Sequence, residues 1–340
     1  MIDIILLIVS LIIILISAEF FTNGVEAFGR RLSLSQAVVG SILAAIGTAM
    51  PETILPFVAI LMHGGEAARH IGVGAILGAP FMLATLAFFL VGVSAVLSFL
   101  RKKRGFELRV EIHSMKRDLI FFIVLYGLAI AMPLYFHGGR VLMAVGLVTG
   151  YFIYAFMTFR GESGEMLHAD DLYFRRVQKC ICRSGETPEQ CLEKIPVIIF
   201  QVVFSLVLMV GGAHMFVGGL ERLSQAWGLS PLLFALLVAP IATELPEKFN
   251  SVSWTLKGRD TLAVGNITGA MVFQSAFPVS LGLLFTDWAI SGLSLLSAVL
   301  ALLSALVILA DISLRNKLSP VTVLMGGLFY LAYAAAILFS

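Results

Sequence analysis

Charge is what this sequence has least of. Only 13% of its 340 residues are Asp, Glu, Lys or Arg, against 59% hydrophobic residues and a mean hydropathy of +0.99. A water-soluble chain of this length could not cover so much apolar surface with so little charge, which excludes a soluble globular class. The first apolar run, Ile2 to Ala18, lacks both a basic leader and a small-residue cleavage site, so it reads as a retained span and not a signal peptide. The six histidines are scattered at 63, 70, 113, 137, 168 and 214. No H-E-x-x-H pair and no nucleophile with its base stands out, which argues against an intramembrane enzyme and against a bound cofactor. The lack of a Walker A loop excludes ATP as the direct energy source. The net charge of +2 gives no reason to expect nucleic acid as a partner.

What is present is apolar length. Ten runs can be marked, at 2–28, 36–62, 71–100, 118–136, 140–159, 195–220, 230–256, 261–285, 287–310 and 318–339. Most reach the ~20 residues that cross ~30 Å of hydrocarbon. The sequence therefore predicts an all-α polytopic membrane protein with ten transmembrane helices, in contact with the lipid bilayer. Loop charges set its orientation. With the N-terminus outside, the inside loops hold Arg30 and Arg31, the block from Arg101 to Arg117, the basic residues from Arg160 to Lys194, Lys257 with Arg259, and Arg315 with Lys317. Arg69, Arg140 and Arg222 alone fall outside, as the positive-inside rule requires. Both termini are expected outside a cell membrane, and residues 161–194 form a cytoplasmic linker. That linker holds the three cysteines, Cys180, Cys182 and Cys191. A reducing compartment argues against a disulfide, leaving free thiols or, with His168 nearby, a soft-metal site of non-standard spacing.

The chain also repeats itself. At an offset of 195 residues, "AEFFTNGVEAFGRRLSLS" lies over "AHMFVGGLERLSQAWGLS" without a gap, and Thr48, Pro51 and Glu52 lie over Thr243, Pro246 and Glu247. "VGAILGA" (73–79) then lies over "VGNITGA" (264–270), with four residues fewer between the blocks in the second copy. Residues 1–160 and 195–340 each hold five runs, with the motif regions at 40–83 and 235–274. An odd number of spans inserts the second copy upside down, the inverted-repeat plan of secondary transporters, whose sites lie where the repeats meet. A passive channel would more often surround an axis with identical elements.

The repeated motif, "IGTAMPET" in one half and "IATELPEK" in the other, combines a helix breaker with a carboxylate. Pro51 and Pro246 have no N–H and crowd the carbonyl four residues back, so the helices are expected to open near Gly47 and Thr48, and near Ala242 and Thr243. Freed carbonyl oxygens at membrane depth are tolerated only against protein, water or a ligand. Together with Glu52 and Glu247 they form an oxygen-only donor set that suits Ca²⁺, Mn²⁺ or Na⁺. Two facing carboxylates repel unless a cation or proton lies between them. Helical spacing adds Thr243, Asn250 and Ser251 to the face of Glu247, while Pro56 takes the corresponding place beyond Glu52. Glu244 lies one turn before Glu247, and Asn266, Thr268 and Gln274 bring polar groups to the next helix. Lys248 either neutralises a carboxylate or turns outward. Gly74 with Gly78 and Gly265 with Gly269 have the spacing that lets helices press together. Glu19 and His214 are repeat equivalents with an interfacial or pathway role, Glu26 and Glu221 are expected to be solvated, and Arg101–Arg104 to meet anionic lipid.

These motifs, each followed by a VG(A/N)xxGA block, resemble the two alpha-repeats of the sodium/calcium exchanger family, within the cation/Ca²⁺ exchanger superfamily. The resemblance covers both halves. It implies that Glu52 and Glu247 bind transported Ca²⁺ with the main-chain carbonyls of Thr48 and Thr243. It also implies that the first and sixth helices slide over the rest to alternate access. Several positions depart from the family pattern. Its usual serine is Ala49 in one half and Glu244 in the other, Pro80 and Met271 replace an Asn or Asp, and Asn266 is kept where its counterpart is Ala75. These changes remove oxygen ligands from sodium sites and add a carboxylate that can carry a proton. The expected activity is exchange of a divalent cation, Ca²⁺ first, for Na⁺, with H⁺ coupling and Mn²⁺ or Mg²⁺ as cargo in the alternative.

Overall fold

The computed structural model describes residues 2–31, 49–102, 105–135, 139–161, 172–173 and 195–338. Thr48, the run 36–48, the cysteines and His168 lie outside the described residues, as do the side chains of Arg30, Glu26, Ala242 and Pro246. The described residues are helical nearly throughout. Among the described residues the only β pairing is an isolated bridge, Leu108 to Leu318, which ties two loops together. Among the described residues, seven helices are long and apolar enough to cross a membrane.

In chain order, α1 is Ile2–Arg31 and α2 is Met50–Phe57, extended by a π-helical turn, Val58–His63. Next come α3 (Glu66–Met82), a second π turn (Leu83–Ala87) and α4 (Phe88–Leu100), which run on as one rod. The first half closes with α5 (Ile112–Tyr135) and α6 (Arg140–Gly161). Then follow α7 (Ile195–Trp227), α8 (Pro231–Thr243), α9 (Leu245–Leu256) and α10 (Asp260–Phe285). Last are α11 (Gly292–Arg315) and α12 (Pro320–Leu338). Several helices begin earlier or end later than their apolar runs. For example, α5 starts at Ile112 and carries Lys116, Arg117 and Asp118 in its early turns. A helix does not stop where hydrophobicity does, because its polar end turns still satisfy their main-chain groups internally.

Among the described residues, packing forms two main apolar cores, beside a small cluster of Ala27, Leu172, Val197 and Ile198. The larger gathers α3 to α6 with α10, α11 and α12. The smaller is built by α1 and α7, which pack along each other, with α2, α8 and the start of α3. Partnerships recur in corresponding pairs. α6 packs on α10 as α12 does on α4, and α9 packs on α10 as α2 does on α3. The outer faces are apolar: Ile5, Ile8, Ile12 and Ile16 of α1 and Phe200, Val203 and Val207 of α7 are exposed, as helices facing hydrocarbon require.

α3 and α8 meet at main-chain distance. A Cβ at Gly74 would run into the carbonyl oxygen of Leu232, and one at Gly78 into that of Leu236. Pro240, four residues after Leu236, has no N–H for that carbonyl, so the kink it makes is seated against Gly78. For Gly265, nothing among the described residues stands within 4 Å of such a Cβ.

Candidate functional site

Two helices, α2 and α9, each begin with a proline in the first turn. In the first half the chain turns at Ala49 and enters α2 with Pro51 in the first turn, where a missing N–H costs nothing. Thr53 Oγ1 donates to the Ala49 carbonyl (2.9 Å) and holds that turn. Glu52 follows immediately. It is 4% exposed, and neither of its carboxylate oxygens has a hydrogen-bond partner among the described residues. Its main-chain carbonyl lacks the usual helical donor, because the residue four further on is Pro56.

In the second half α8 ends at Thr243, Glu244 takes φ −90° and ψ 9°, and α9 starts at Leu245. The opening therefore falls one to two residues beyond the Ala242–Thr243 position expected from sequence. Pro246 is accommodated in the first turn of α9, so the chain breaks just ahead of that turn. The Glu244 N–H still reaches the Pro240 carbonyl, and the Lys248 N–H reaches the Glu244 carbonyl, each at 3.1 Å. Pro246 offers no N–H to the carbonyl of Ala242.

The starts of α2 and α9 place their charged side chains together. Glu247 is 2% exposed and Glu244 fully buried. Both carboxylates, and the ammonium of Lys248, are close enough to act electrostatically on Glu52. Lys248 Nζ lies 3.0 Å from Glu244 Oε2, an ion pair without hydrogen-bond alignment, and donates to the Pro240 carbonyl at 3.1 Å. Lys248 thus turns inward, the first of the two placements open from sequence. Gln274 of α10 adjoins Glu244. Asn266, also on α10, donates to the Glu247 carbonyl (3.3 Å) and to Ser251 Oγ (3.2 Å), bracing the first turns of α9. The Thr243 hydroxyl donates to the Ala239 carbonyl (3.1 Å), which leaves its main-chain oxygen as the group it can offer to a ligand. Asn250 is half-buried and makes no side-chain hydrogen bond among the described residues.

A carboxylate at the centre of a spanning helix costs about 2.5–3.5 kcal/mol on insertion scales. Among the described residues, three carboxylates share this locus with one ammonium, and an adjoining cation or proton would lower their mutual repulsion. Chemically it offers carboxylate and carbonyl oxygens to a hard cation, and no soft donor.

Two further polar groupings stand apart from this cluster. Asp118 of α5 is buried, accepts from Thr268 Oγ1 (2.7 Å) and pairs with Arg117 (3.2 Å), whose guanidinium lies over the Tyr154 ring. Sequence reading placed Asp118 only at the edge of an apolar run. Its position one helical turn after Ser114 and next to two cations was the available signal. His63, at the tip of α2, faces His214 of α7 with Nδ1 atoms 3.3 Å apart, while its Nε2 lies 3.4 Å from Glu221. Glu221 is thereby engaged with His63, beyond the solvated role expected of it. Glu19, the repeat equivalent of His214, accepts from the Tyr173 hydroxyl (2.7 Å).

The family described as sodium/calcium exchanger protein matches residues 2–160 and 197–340, most of the chain. The chain belongs to the sodium/calcium exchanger family. Members of this family are transporters and not enzymes, and this exchanger-family chain is accordingly a multi-pass integral membrane protein. It is 25% identical to the inner membrane protein YrbG of Escherichia coli K12 over 339 residues, covering 95% of this chain and 93% of that one. Two solved structures share its fold. The H⁺/Ca²⁺ exchanger CAX superposes with a TM-score of 0.73 at 17% identity, covering 99% of this chain and 86% of its own. The sodium-calcium exchanger NCX_Mj gives 0.58 at 18% identity, with 98% of both chains covered.

Proposed function

We propose that this exchanger-family chain is a secondary antiporter that moves a divalent cation, Ca²⁺ first, against Na⁺ by alternating access. The transported ions bind at the junction of the two breaks. Glu52 and Glu247 supply carboxylates, Thr48 and Thr243 main-chain oxygens, and Glu244, Asn250 and Asn266 flank them. The observation that carries this reading is Glu52, a buried carboxylate whose oxygens have no hydrogen-bond partner among the described residues, set opposite Glu247 and Glu244. A buried polar group left unmatched is costly, and a cargo cation resolves the cost.

The proposal includes ten spans arranged as two inverted halves, 1–160 and 195–340, joined by a cytoplasmic linker at 161–194. Both termini are outside, and the host membrane is the cell membrane. The paired helix partnerships and the asymmetric loop charges support it. α1 and α7, sharing their own small core, are the pair whose sliding would open the site to either side.

A second reading, H⁺ in place of Na⁺, is favoured by Glu244, which adds a third carboxylate where a sodium site would want a neutral oxygen. Ca²⁺ movement in proteoliposomes under an imposed Na⁺ or H⁺ gradient tests both. Gradient-driven flux is expected from the wild type and at least a hundredfold less from the Glu52→Gln, Glu247→Gln double variant. Undiminished flux from that variant would remove these residues from the mechanism. Flux driven by a pH gradient and indifferent to Na⁺ decides for the second reading.

A further inference from the structure

His63 has a different neighbour on each ring nitrogen. Its Nδ1 lies 3.3 Å from Nδ1 of His214, and its Nε2 lies 3.4 Å from Glu221 Oε2. The two ring centres are 4.4 Å apart, little more than the nitrogens themselves, so the imidazoles lie nearer side by side than head on. A tetrahedral dication with metal–nitrogen bonds of about 2.0–2.1 Å sets two ligand nitrogens about 3.3–3.4 Å apart, the separation that this pair already has. Glu221 supplies the other half of the pattern. A metal-bound histidine almost always turns its second nitrogen to a carboxylate, a carbonyl or water, and this fixes the tautomer. With the Nε2 proton of His63 towards Glu221, its lone pair is on Nδ1, facing His214. A dication would displace the proton that otherwise lies between the two Nδ1 atoms. Arg222, whose guanidinium flanks Gly218 beside the His63 ring, is itself paired with Asp3 (2.7 Å). Among the described residues no three of His, Cys, Asp and Glu already surround one point, so the chain offers two donors here and water the rest.

We propose that His63 and His214 form a two-imidazole site for a borderline transition-metal dication, Zn²⁺ first, and that the bound ion clamps α7 to the tip of α2. Imidazole nitrogen suits Zn²⁺, whereas Ca²⁺ takes oxygen, so this site and the carboxylate cluster select different ions. The site stands on its own geometry. The clamp rests on the alternating-access reading: α7 is one of the helices proposed to slide, while α2 leads into α3, which is anchored in the larger core. A metal bridge between them holds the stroke at one end. Two protein ligands with open positions left to water make the ion exchangeable, and His63 is half-buried and His214 exposed.

The site is tested by calorimetric titration of Zn²⁺ into the full chain in detergent. Cys180, Cys182 and Cys191 are alkylated beforehand, and excess Ca²⁺ competes for the oxygen sites. The wild type is expected to bind Zn²⁺ and the His63→Gln, His214→Gln variant at least a hundredfold more weakly. Glu221→Gln, which keeps both nitrogens but loses the carboxylate behind them, should weaken binding about 10–100-fold. Equal Zn²⁺ affinity in the wild type and the double variant overturns the site; if that variant does not fold, His214→Gln alone, at an exposed position, decides in the same way. The clamp is tested by gradient-driven Ca²⁺ movement in liposomes with saturating Zn²⁺ on both faces, each protein compared with itself without Zn²⁺. Wild-type movement is expected to fall at least tenfold and that of His214→Gln to be unchanged by Zn²⁺. Equal inhibition of the two would place the Zn²⁺ effect elsewhere and overturn the clamp. Absence of Ca²⁺ movement in the wild type without Zn²⁺ would overturn the exchange reading and the clamp with it, while the calorimetry still decides the site.

Discussion

A buried carboxylate constrains whatever its oxygens touch, and Asp118 joins three elements in this way. Thr268 binds it from α10, Arg117 pairs with it from its own helix, and Tyr154 of α6 lies under that guanidinium. Removing one partner of a buried pair strands the other, so Asp118→Ala is expected to lose about 3–5 kcal/mol, measurable as thermal denaturation in detergent. Thr268→Val gives up one hydrogen bond to a charged group and should lose about 1–3 kcal/mol in the same assay. Wild-type stability in both would refute this role. Outside the membrane, Glu107 receives Lys317 at 2.7 Å, and that hydrogen bond and charge hold its carboxyl below the ordinary carboxylate range. Because the folded pKa is the lower one, the contribution is complete above the ordinary glutamate value and is lost as pH falls through the lowered pKa. Lys317→Ala should return the Glu107 titration, followed by NMR, to the ordinary range. The membrane glutamates were legible in the sequence because a proline marks each and the repeat states them twice. Asp118 was not, since charges at the end of an apolar run look like a boundary. The inward turn of Lys248 was not legible either, because one residue's offset from Glu247 on a helix leaves its direction open until the break fixes Pro240 and Glu244.

Among the elements, the α3–α8 contact is the one most dependent on particular residues. Gly78 lies against the carbonyl of Leu236 and the ring of Pro240, and neither main chain can give way to a methyl group. Gly78→Ala should therefore destabilise by more than the usual 1–3 kcal/mol of an overpacked core site. Gly146→Ala, on an exposed face of α6, should instead be neutral or stabilise by up to about 1 kcal/mol through helix propensity. Equal melting temperatures for the two variants would contradict the close approach. Spacing alone pointed to Gly74 and Gly78. It could not point to the π turns at Val58–His63 and Leu83–Ala87. An apolar run reads the same whether its turns are tight or wide, and a widened turn depends on tertiary partners. The second turn has two: Ser304 Oγ donates to the Ala84 carbonyl, and Gly326 of α12 presses on Thr85.

At the scale of the whole molecule, binding of the proposed cargo and stability are linked. If Ca²⁺ binds the folded chain at Glu52 and Glu247, a concentration about a hundred times its Kd adds about 2.7 kcal/mol, seen as a raised Tm in detergent. The Glu52→Gln, Glu247→Gln variant should show no such rise. The membrane class, the helix content and the paired motifs could be read from hydropathy and self-comparison. The division into two cores could not, because which apolar faces meet is decided by shape rather than by composition. The unequal length of the two copies also gains a location. Glu52 precedes Val73 by 21 residues and Glu247 precedes Val264 by 17. The extra length is mostly built into helix: α2 with its π turn runs to His63 where α9 stops at Leu256, and α3 starts further ahead of its glycine block than α10 does. At about 1.5 Å per residue, the first hairpin stands about 3–4 Å taller than the second. Its tip, His63, is what meets His214 and Glu221 on α7, and among the described residues the tip of α9 makes no such bond with α1. On the proposed alternating-access reading, the stroke that lifts α7 off that tip breaks the His63 contacts, and among the described residues the opposite stroke meets no matching contact.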